Sequence, residues 1–467
     1  MTDAHPLPSL VITGATVLSH TTPADPGYPA DPSARRAEAV LLPDHAVGVV
    51  YGAIAWVVPT AELTDDDVRG AEVVDARGLV AIPGLINCHT HAAMTMFRGS
   101  AEDVSAHSWF NDHIWPMEVN LTPRDVALGA RLAIGEMLLS GVTTFADHYF
   151  FLDEVAREVE AAGIRALLAP TYFSSEGPAG LDRSVAFVER WHGAADGRIT
   201  AAMGPHATYT LDDDDLRRTA AAAARLGVLT HIHAAEGMNQ TESSLASRGV
   251  TPMQVLHDTG LLDSGVLIAH GAGITEDDLR FLSPAADRIG VAACDKVYLK
   301  HAQGSTTPVR LLHDGGVPVG IGTDGPASHN TLDVLESMRM LSLVEKDKER
   351  DATWLTSAHA IDLATRQSAL VVGQGGRIGA LLPGHRADIA LIDPSGPHMQ
   401  PMHDLLAALV LSVRSSDVRH VVVDGRVLVR DGRLTGLDLV EAIAELNRRI
   451  PQLRDTSHGT RIQDYDP

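Results

Sequence analysis

Short apolar runs bounded by turn residues fill the first 82 positions: LVITGATVL, GVVYGAIAWVV and AEVVDARGLVAI. Runs of this length and spacing predict strands of a small all-β unit. Residues 20–36 interrupt them, with Pro23, Pro26, Pro29 and Pro32 among Ala, Asp and Ser, a composition that predicts a solvated loop. From residue 79 to about 325 the pattern changes. Eight apolar runs (LVAIPGLINCHTH, VTTFADHYF, RALLAPTYF, ITAAMGPHATY, VLTHIHAAE, VLIAHG, IGVAACDK and VPVGIGTDG) alternate with amphipathic stretches such as PRDVALGARLAIGEMLLSG and LDDDDLRRTAAAAARLG. Alternation of this kind predicts strand-helix units, and eight of them predict a closed (β/α)8 barrel. The four aspartates opening the second stretch are read as a helix first turn, where negative charge interacts favourably with the helix dipole, in preference to a cation site.

After a helical region (TLDVLESMRMLSLVEKDKERD, LTSAHAIDLATRQSALVV), strand patterns return in RADIALIDP and VRHVVVDGRVLVRDGRL. A barrel already closed has no edge for them to join, so they are expected to complete the β unit begun at the N-terminus. The expected fold is therefore α/β, a TIM barrel over 83–376 with a small composite β-sandwich from 1–82 and 377–436, followed by a helix and polar tail over 437–467.

The totals narrow the class. At 467 residues and 45% hydrophobic, the chain can bury a large core. A formal charge of −23 works against a polyanionic partner, so nucleic acid is not expected. Cys88 and Cys294 are the two cysteines, which suits a reducing compartment. The start lacks the basic and apolar pattern of a secretory leader, and no run reaches 18 apolar residues, so a cytoplasmic protein without membrane contact is expected. The 23 histidines supply many groups able to bind metal or titrate near neutrality.

Barrel enzymes carry their chemistry at the C-terminal ends of strands. Here the first strand ends in His89-Thr90-His91, the fourth in Gly204-Pro205-His206, the sixth at His270 and the eighth in Gly322-Thr323-Asp324-Gly325, while the fifth carries His231 and His233 with Glu236 just beyond. Residues i and i+2 of a strand face one side, so His89 and His91 can address one ion. Imidazoles and carboxylates at the same end of five strands predict a divalent metal site, with zinc favoured and iron or manganese compatible with the same donors.

With these motifs in place, the chain resembles the amidohydrolase superfamily, and within it the branch of 5-methylthioadenosine/S-adenosylhomocysteine deaminases and triazine hydrolases. The likeness rests on PGLINCHTHAAMTMFRG, GVTTFADHYFF, GPHATYT, HIHAAE, AHG, GTDGPASHNTLDVLESMR and GRIGALLPGHRADIALID, and spans nearly the whole chain. It implies His89, His91, His233 and Asp324 as metal ligands, Glu236 as the acid that protonates the heterocycle and His270 as a proton shuttle. It further implies that His206 contacts the base and that Glu118, in WPMEVNLT, holds ribose hydroxyls. The chemistry agrees: a metal lowers the pKa of water towards ~7, Asp324 can take the proton, and a ring nitrogen must be protonated by an acid such as Glu236 before an amino group leaves. Binuclear relatives bridge their metals with a carboxylated lysine on the fourth strand; RITAAMGPHATYT has none, so one metal ion is expected.

The expected activity is hydrolytic deamination of an aminated purine, with a 5′-modified adenosine such as methylthioadenosine or S-adenosylhomocysteine as the expected substrate. An aminohydrolase or chlorohydrolase acting on 8-oxoguanine, a pterin or a triazine is the alternative, and a non-catalytic assembly protein a remote one, since every ligand position is filled. The resemblance also implies a homo-oligomer, commonly a dimer. It weakens after strand seven, where the branch reads HCPxSNLKL and this chain reads AACDKVYLKHAQG. There Tyr298 is a candidate to stack on the substrate and Lys296 or Lys300 to meet an anionic substituent. His148, where methionine is frequent, is a further candidate contact at the pocket mouth.

Overall fold

A computed structural model describes residues 7–20 and 39–465. The proline-bearing stretch read as a loop, Pro23 to Pro32, lies outside the described residues. In the N-terminal part, β1 (Leu10–His20), β2 (Ala39–Val50) and β3 (Ala53–Pro59) form an antiparallel meander. β4 (Glu72–Asp75) runs parallel to the first half of β1, and β5 (Val80–Pro83) to its second half.

Eight barrel positions follow in chain order. β6 (Leu85–Thr90), β7 (Val142–Tyr149), β8 (Arg165–Tyr172) and the split fourth strand, β9 (Ile199–Ala201) with β10 (Gly204–Pro205), make one parallel arc. β11 (Thr230–Ala234), β12 (Val266–His270), β13 (Ile289–Ala293) and β14 (Val319–Ile321) make the other. Backbone hydrogen bonds join the arcs on both sides: His231 N–H to the Met203 carbonyl at 2.9 Å, and Asp324 N–H to the His89 carbonyl at 3.0 Å. Strands buried on both faces explain their continuous apolar runs. The helices between them start where their capping residues dictate: Thr122 and Asp125 form a capping box for Pro123–Leu139, and Asp212 caps Asp213–Leu226, accepting from Asp215 N–H at 2.8 Å. The acidic run is thus a helix start.

The chain then returns to the N-terminal sheet. β15 (Ile389–Ile392) pairs antiparallel with β5, and β16 (Val418–Val423), β17 (Arg426–Arg430) and β18 (Arg433–Leu434) extend it to nine strands. An Ala53–Arg386 bridge brings β3 back to the residues entering β15, curling the sheet around its own core of Ile12, Val47, Val74, Ile389 and Val422. One buried ion-pair cluster ties sheet to barrel: Arg165, at the start of β8, is 1% exposed and pairs with Asp388 at 2.8 Å and Asp424 at 3.2 Å.

After the helix Val440–Leu453 the tail departs from its expected polar character. It folds back over the barrel, where Tyr465 is buried, stacks on Phe110 with centroids 4.4 Å apart, and exchanges two hydrogen bonds with Asn111. Among the described residues no helix is long and apolar enough to cross a membrane.

Candidate active site

The strand pattern that repeats eight times brings its polar exceptions to one end. His89 is the penultimate residue of β6 and His91 follows the strand, His233 lies in β11, His270 ends β12, and Asp324 stands three residues past β14. Ligand atoms of His89, His91 and Asp324 lie within 4.8 Å of one another, and so do those of His89, His233 and His270. Asp324 Oδ1 is 3.1 Å from His91 Nε2 and 3.4 Å from His89 Nε2, while His233 Nε2 is 3.4 Å from His91 Nε2.

The outward nitrogens of these rings are committed. His91 Nδ1–H donates to the His148 carbonyl at 2.5 Å, and His233 Nδ1–H to the His206 carbonyl at 2.7 Å. Each bond fixes the tautomer that turns an unprotonated Nε2 towards the centre. His89 Nδ1 shares a 2.9 Å hydrogen bond with His231 Nε2, and His89 Nε2 is buried without a hydrogen-bond partner. An orphaned buried imidazole nitrogen beside other nitrogens and a carboxylate is the donor chemistry of a divalent cation, so the set fits a metal. Burial drives the His89 and His233 rings well below the usual imidazole range, keeping them neutral as ligands must be. Burial alone would raise Asp324, but contacts from His89 and His91 hold its carboxyl well below the usual range. Both Asp324 and His270 adopt positive φ, 57° and 75°, a conformation that tight strand ends impose.

Glu236 lies in the same cavity, two residues past the end of β11. Its N–H donates to Gln240 Oε1 at 2.9 Å, and Gln240 Nε2 returns a 3.3 Å bond to its carboxyl. Burial pushes the Glu236 carboxyl up to about 7, so it can hold a proton near neutrality. Burial brings His270 down to about 4, leaving it a neutral acceptor, with Thr307 gripping its backbone carbonyl at 2.8 Å. Trp109, Phe110, Met94 and Val297 supply the cavity's apolar wall.

The other expected contacts fall in different places. His206 lines the cavity, its Nδ1 held by Thr210 at 3.0 Å. Glu118 lies outside it, in a narrow adjoining chamber shared with His91, His148 and His206, and also borders a neighbouring cavity of about 520 Å³. Its carboxyl accepts from Tyr149 at 2.6 Å and is raised by burial to about 7. His148 is fully buried instead of standing at the mouth; its Nε2–H donates to Gly204 at 3.1 Å. Tyr298 is a correction to the sequence reading, because its ring packs behind His270 with Ala272, Cys294 and Val297. Lys296 and Lys300 are likewise spent on Glu336 at 2.8 Å and Glu102 at 2.7 Å. The short helix Asp295–Lys300 turns these side chains away from the cavity, a geometry that a motif comparison does not contain.

Several residues have roles that the sequence reading did not assign. His231 supports His89, and the i, i+2 rule already placed it on the face of His233. Ser328 donates to Asp324 at 2.6 Å and Gln240 steadies Glu236; each is four positions past its partner. His301, Gln303 and Tyr209 complete the lining.

Comparison with known proteins gives a consistent picture. Residues 80–428 match the profile of the Amidohydrolase family. A protein of Pelotomaculum thermopropionicum named 5-methylthioadenosine/S-adenosylhomocysteine deaminase is 39% identical over 95% of this chain and 99% of its own length. One of the same name from Desulforudis audaxviator is 41% identical over 87% of this chain and 94% of its own. Among solved structures, a zinc-bound adenosine deaminase from Xanthomonas campestris superposes with a TM-score of 0.85 at 30% identity, covering 96% of this chain and 100% of that one. An atrazine chlorohydrolase from Arthrobacter aurescens in complex with zinc does so with 0.82 at 26% identity, covering 95% and 100%.

Proposed function

The chain belongs to the amidohydrolase family, and from that premise we propose that it is a hydrolytic deaminase of adenosine-type nucleosides, with 5′-modified adenosines as its substrates and one zinc ion as its cofactor. The observation that carries the reading is the convergence of His89, His91, His233, His270 and Asp324 at one barrel end with a proton-holding Glu236 in the same cavity. The names of the full-length relatives support the substrate class, and the absence of a lysine in RITAAMGPHATYT supports a single metal.

His89, His91, His233 and Asp324 would hold the ion. When bound, a divalent metal makes water acidic enough to supply hydroxide near neutrality. The overall change replaces a ring C–NH2 by C=O, consuming one water and releasing one ammonia. Glu236 donates its proton to the ring nitrogen beside the amino-bearing carbon, which makes that carbon electrophilic. Asp324 and His270 take the proton lost by the attacking water and deliver it to the departing nitrogen, and the second proton of that water restores Glu236 as the C=O forms. His206 and the apolar wall of Trp109 and Val297 position the ring. Glu118 would reach ribose hydroxyls from the adjoining chamber, where its contact with Tyr149 fixes one carboxyl oxygen.

The test is ammonia release and ultraviolet change from the metal-analysed protein across methylthioadenosine, S-adenosylhomocysteine, adenosine, free purines, pterins and triazines. Turnover of the 5′-modified adenosines at the highest kcat/KM is expected. Turnover confined to a pterin or a triazine would overturn the reading.

A further inference from the structure

The loop after β13 is where the sequence departs most from the motif it resembles, and the structure sorts its side chains by destination. Lys296 and Lys300 are bound in ion pairs, and Tyr298 lies behind His270. His301 and Gln303 reach the cavity that holds Glu236, His270 and Asp324. His301 stands at the position where HCPxSNLKL ends in leucine, so a polar ring replaces an apolar side chain on the cavity wall.

His301 Nδ1 and Gln303 Oε1 are both buried, and neither has a hydrogen-bond partner within the protein. Three of their neighbours on the wall are committed: Trp109 Nε1 donates to the Ala327 carbonyl at 3.3 Å, His206 Nδ1 is held by Thr210 at 3.0 Å, and Glu236 is engaged with Gln240. The backbone beneath the pair is fixed, with His301 N–H donating to Val297 and Gln303 N–H to Tyr298, each at 3.0 Å. Unpaired buried polar atoms are rare because they are costly. Two of them on one anchored loop, facing a site that must orient a flat heterocycle, mark places where the ligand supplies the partner.

We propose that His301 and Gln303 are the specificity-determining pair of this enzyme: they accept hydrogen bonds from the exocyclic amino N–H groups of the aminated purine and so set which carbon is presented to Glu236 and the metal ligands. The inference rests on the deaminase reading above and extends it to the identity of the ring. Met94, Trp109 and Val297 give the ring area but no direction, whereas a site built to hydrogen-bond discriminates strongly against an analogue that lacks the matching atom. With the His301 ring donating to the Val104 backbone, its Nδ1 and Gln303 Oε1 are both left as acceptors, which suits the amino N–H groups of a purine edge.

The experiment is His301→Leu and Gln303→Leu in the zinc-loaded enzyme, assayed on methylthioadenosine and on its 6-chloro and 6-methoxy analogues, with metal content and melting temperature measured alongside. Each variant is expected to lose about 10- to 100-fold in kcat/KM on the parent ring. That loss is expected to shrink to within about threefold on the analogues, which lack the contacted N–H. Activity of both variants within twofold of the unaltered enzyme, or equal losses on every analogue, would overturn the proposal. If the enzyme deaminates a ring other than adenine, the same variants are compared on that ring, so failure of the substrate reading leaves this test intact. If it deaminates none of the panel, equilibrium binding of adenine, followed by tryptophan fluorescence with Trp109 on the cavity wall, replaces turnover, and unchanged affinity in both variants sinks the idea.

Discussion

Glu236 shows how one residue's surroundings set its chemistry. Burial lifts its carboxyl to about 7, and the hydrogen bond from Gln240 pulls the other way without cancelling it. A general acid works only while protonated, so its contribution is complete well below pH 7 and declines as pH rises past that value. The kcat/KM profile is therefore expected to fall on its alkaline side from about pH 7. Glu236→Gln should lower kcat by about 10²- to 10⁴-fold, abolish that limb and leave metal content unchanged. A limb that persists in the variant would assign it to another group. Asp295 presents the opposite case, a buried carboxyl without a reaction to perform. It is 4% exposed, and neither oxygen has a hydrogen-bond partner. Burial first, and the charge of Glu345 second, raise it to about 7. The unfolded chain ionises this group near 3.9, so between about pH 4 and 7 the native state binds more protons than the unfolded state and stability falls as pH rises. Asp295→Asn removes that loss and is expected to stabilise by on the order of 2–4 kcal/mol at pH 8, with little effect at pH 4. Melting curves at the two pH values decide it; an equal shift at both would show that charge is not the cause.

At the scale of elements, the barrel strands were legible because a strand buried on both faces leaves an uninterrupted apolar run, and the polar residue that ends it is conspicuous. His89, His91, His233 and Asp324 stood out for that reason. The tail was not legible, because a single aromatic in polar sequence has no periodicity and its partner Asn111 lies 354 positions away. Yet Tyr465 roofs the site: it stacks on Phe110, which lines the cavity, while Arg461 reaches the Asn111 carbonyl at 3.3 Å and Gln463 bonds Ser175 at 2.6 Å. The cavity beneath has a volume of about 50 Å³, against ~300–1,000 Å³ for typical ligand sites, so a purine enters only when part of this roof moves. The stacked pair contributes ~0.5–1.5 kcal/mol and each hydrogen bond a similar amount. Ending the chain at Asp455 should therefore speed removal of bound metal by a chelator by about tenfold or more, since ~1.4 kcal/mol is a factor of ten in rate. An unchanged stripping rate in a truncated protein with an unchanged melting temperature would place the entrance elsewhere.

On the scale of the whole molecule, the joining of both chain ends in one sheet followed from strands that a closed barrel has no edge to accept. What locks that sheet to the barrel did not show in the sequence, since one arginine and two aspartates, separated by 223 and 259 positions, carry no local pattern. Arg165 donates from Nε and Nη2 to the two oxygens of Asp388 at 2.8 and 3.1 Å, and from Nη2 to Asp424 at 3.2 Å. Asp388 also accepts from the Asp424 N–H at 2.8 Å, while its backbone carbonyl takes the Gly84 N–H at the entry to the barrel. The Arg165 and Asp388 side chains are each 2% exposed, so removing the cation strands the Asp388 carboxylate in a region that water reaches poorly, while Asp424 keeps its ion pair with Arg386. Arg165→Met is expected to destabilise by about 3–5 kcal/mol, much more than removal of a surface pair. Replacing Asp388 by leucine in the same background should restore part of the loss, because its desolvation penalty disappears with the charge. Arg165 is the first residue of β8, at the end of the barrel opposite the metal ligands, so kcat/KM per bound metal should stay within about twofold in protein kept well below its unfolding temperature. Denaturant midpoints, metal content and turnover measured together separate the possibilities. A variant as stable as the parent would mean that the cluster contributes nothing to the junction. One that keeps its stability yet loses activity would instead couple the sheet to the reaction itself.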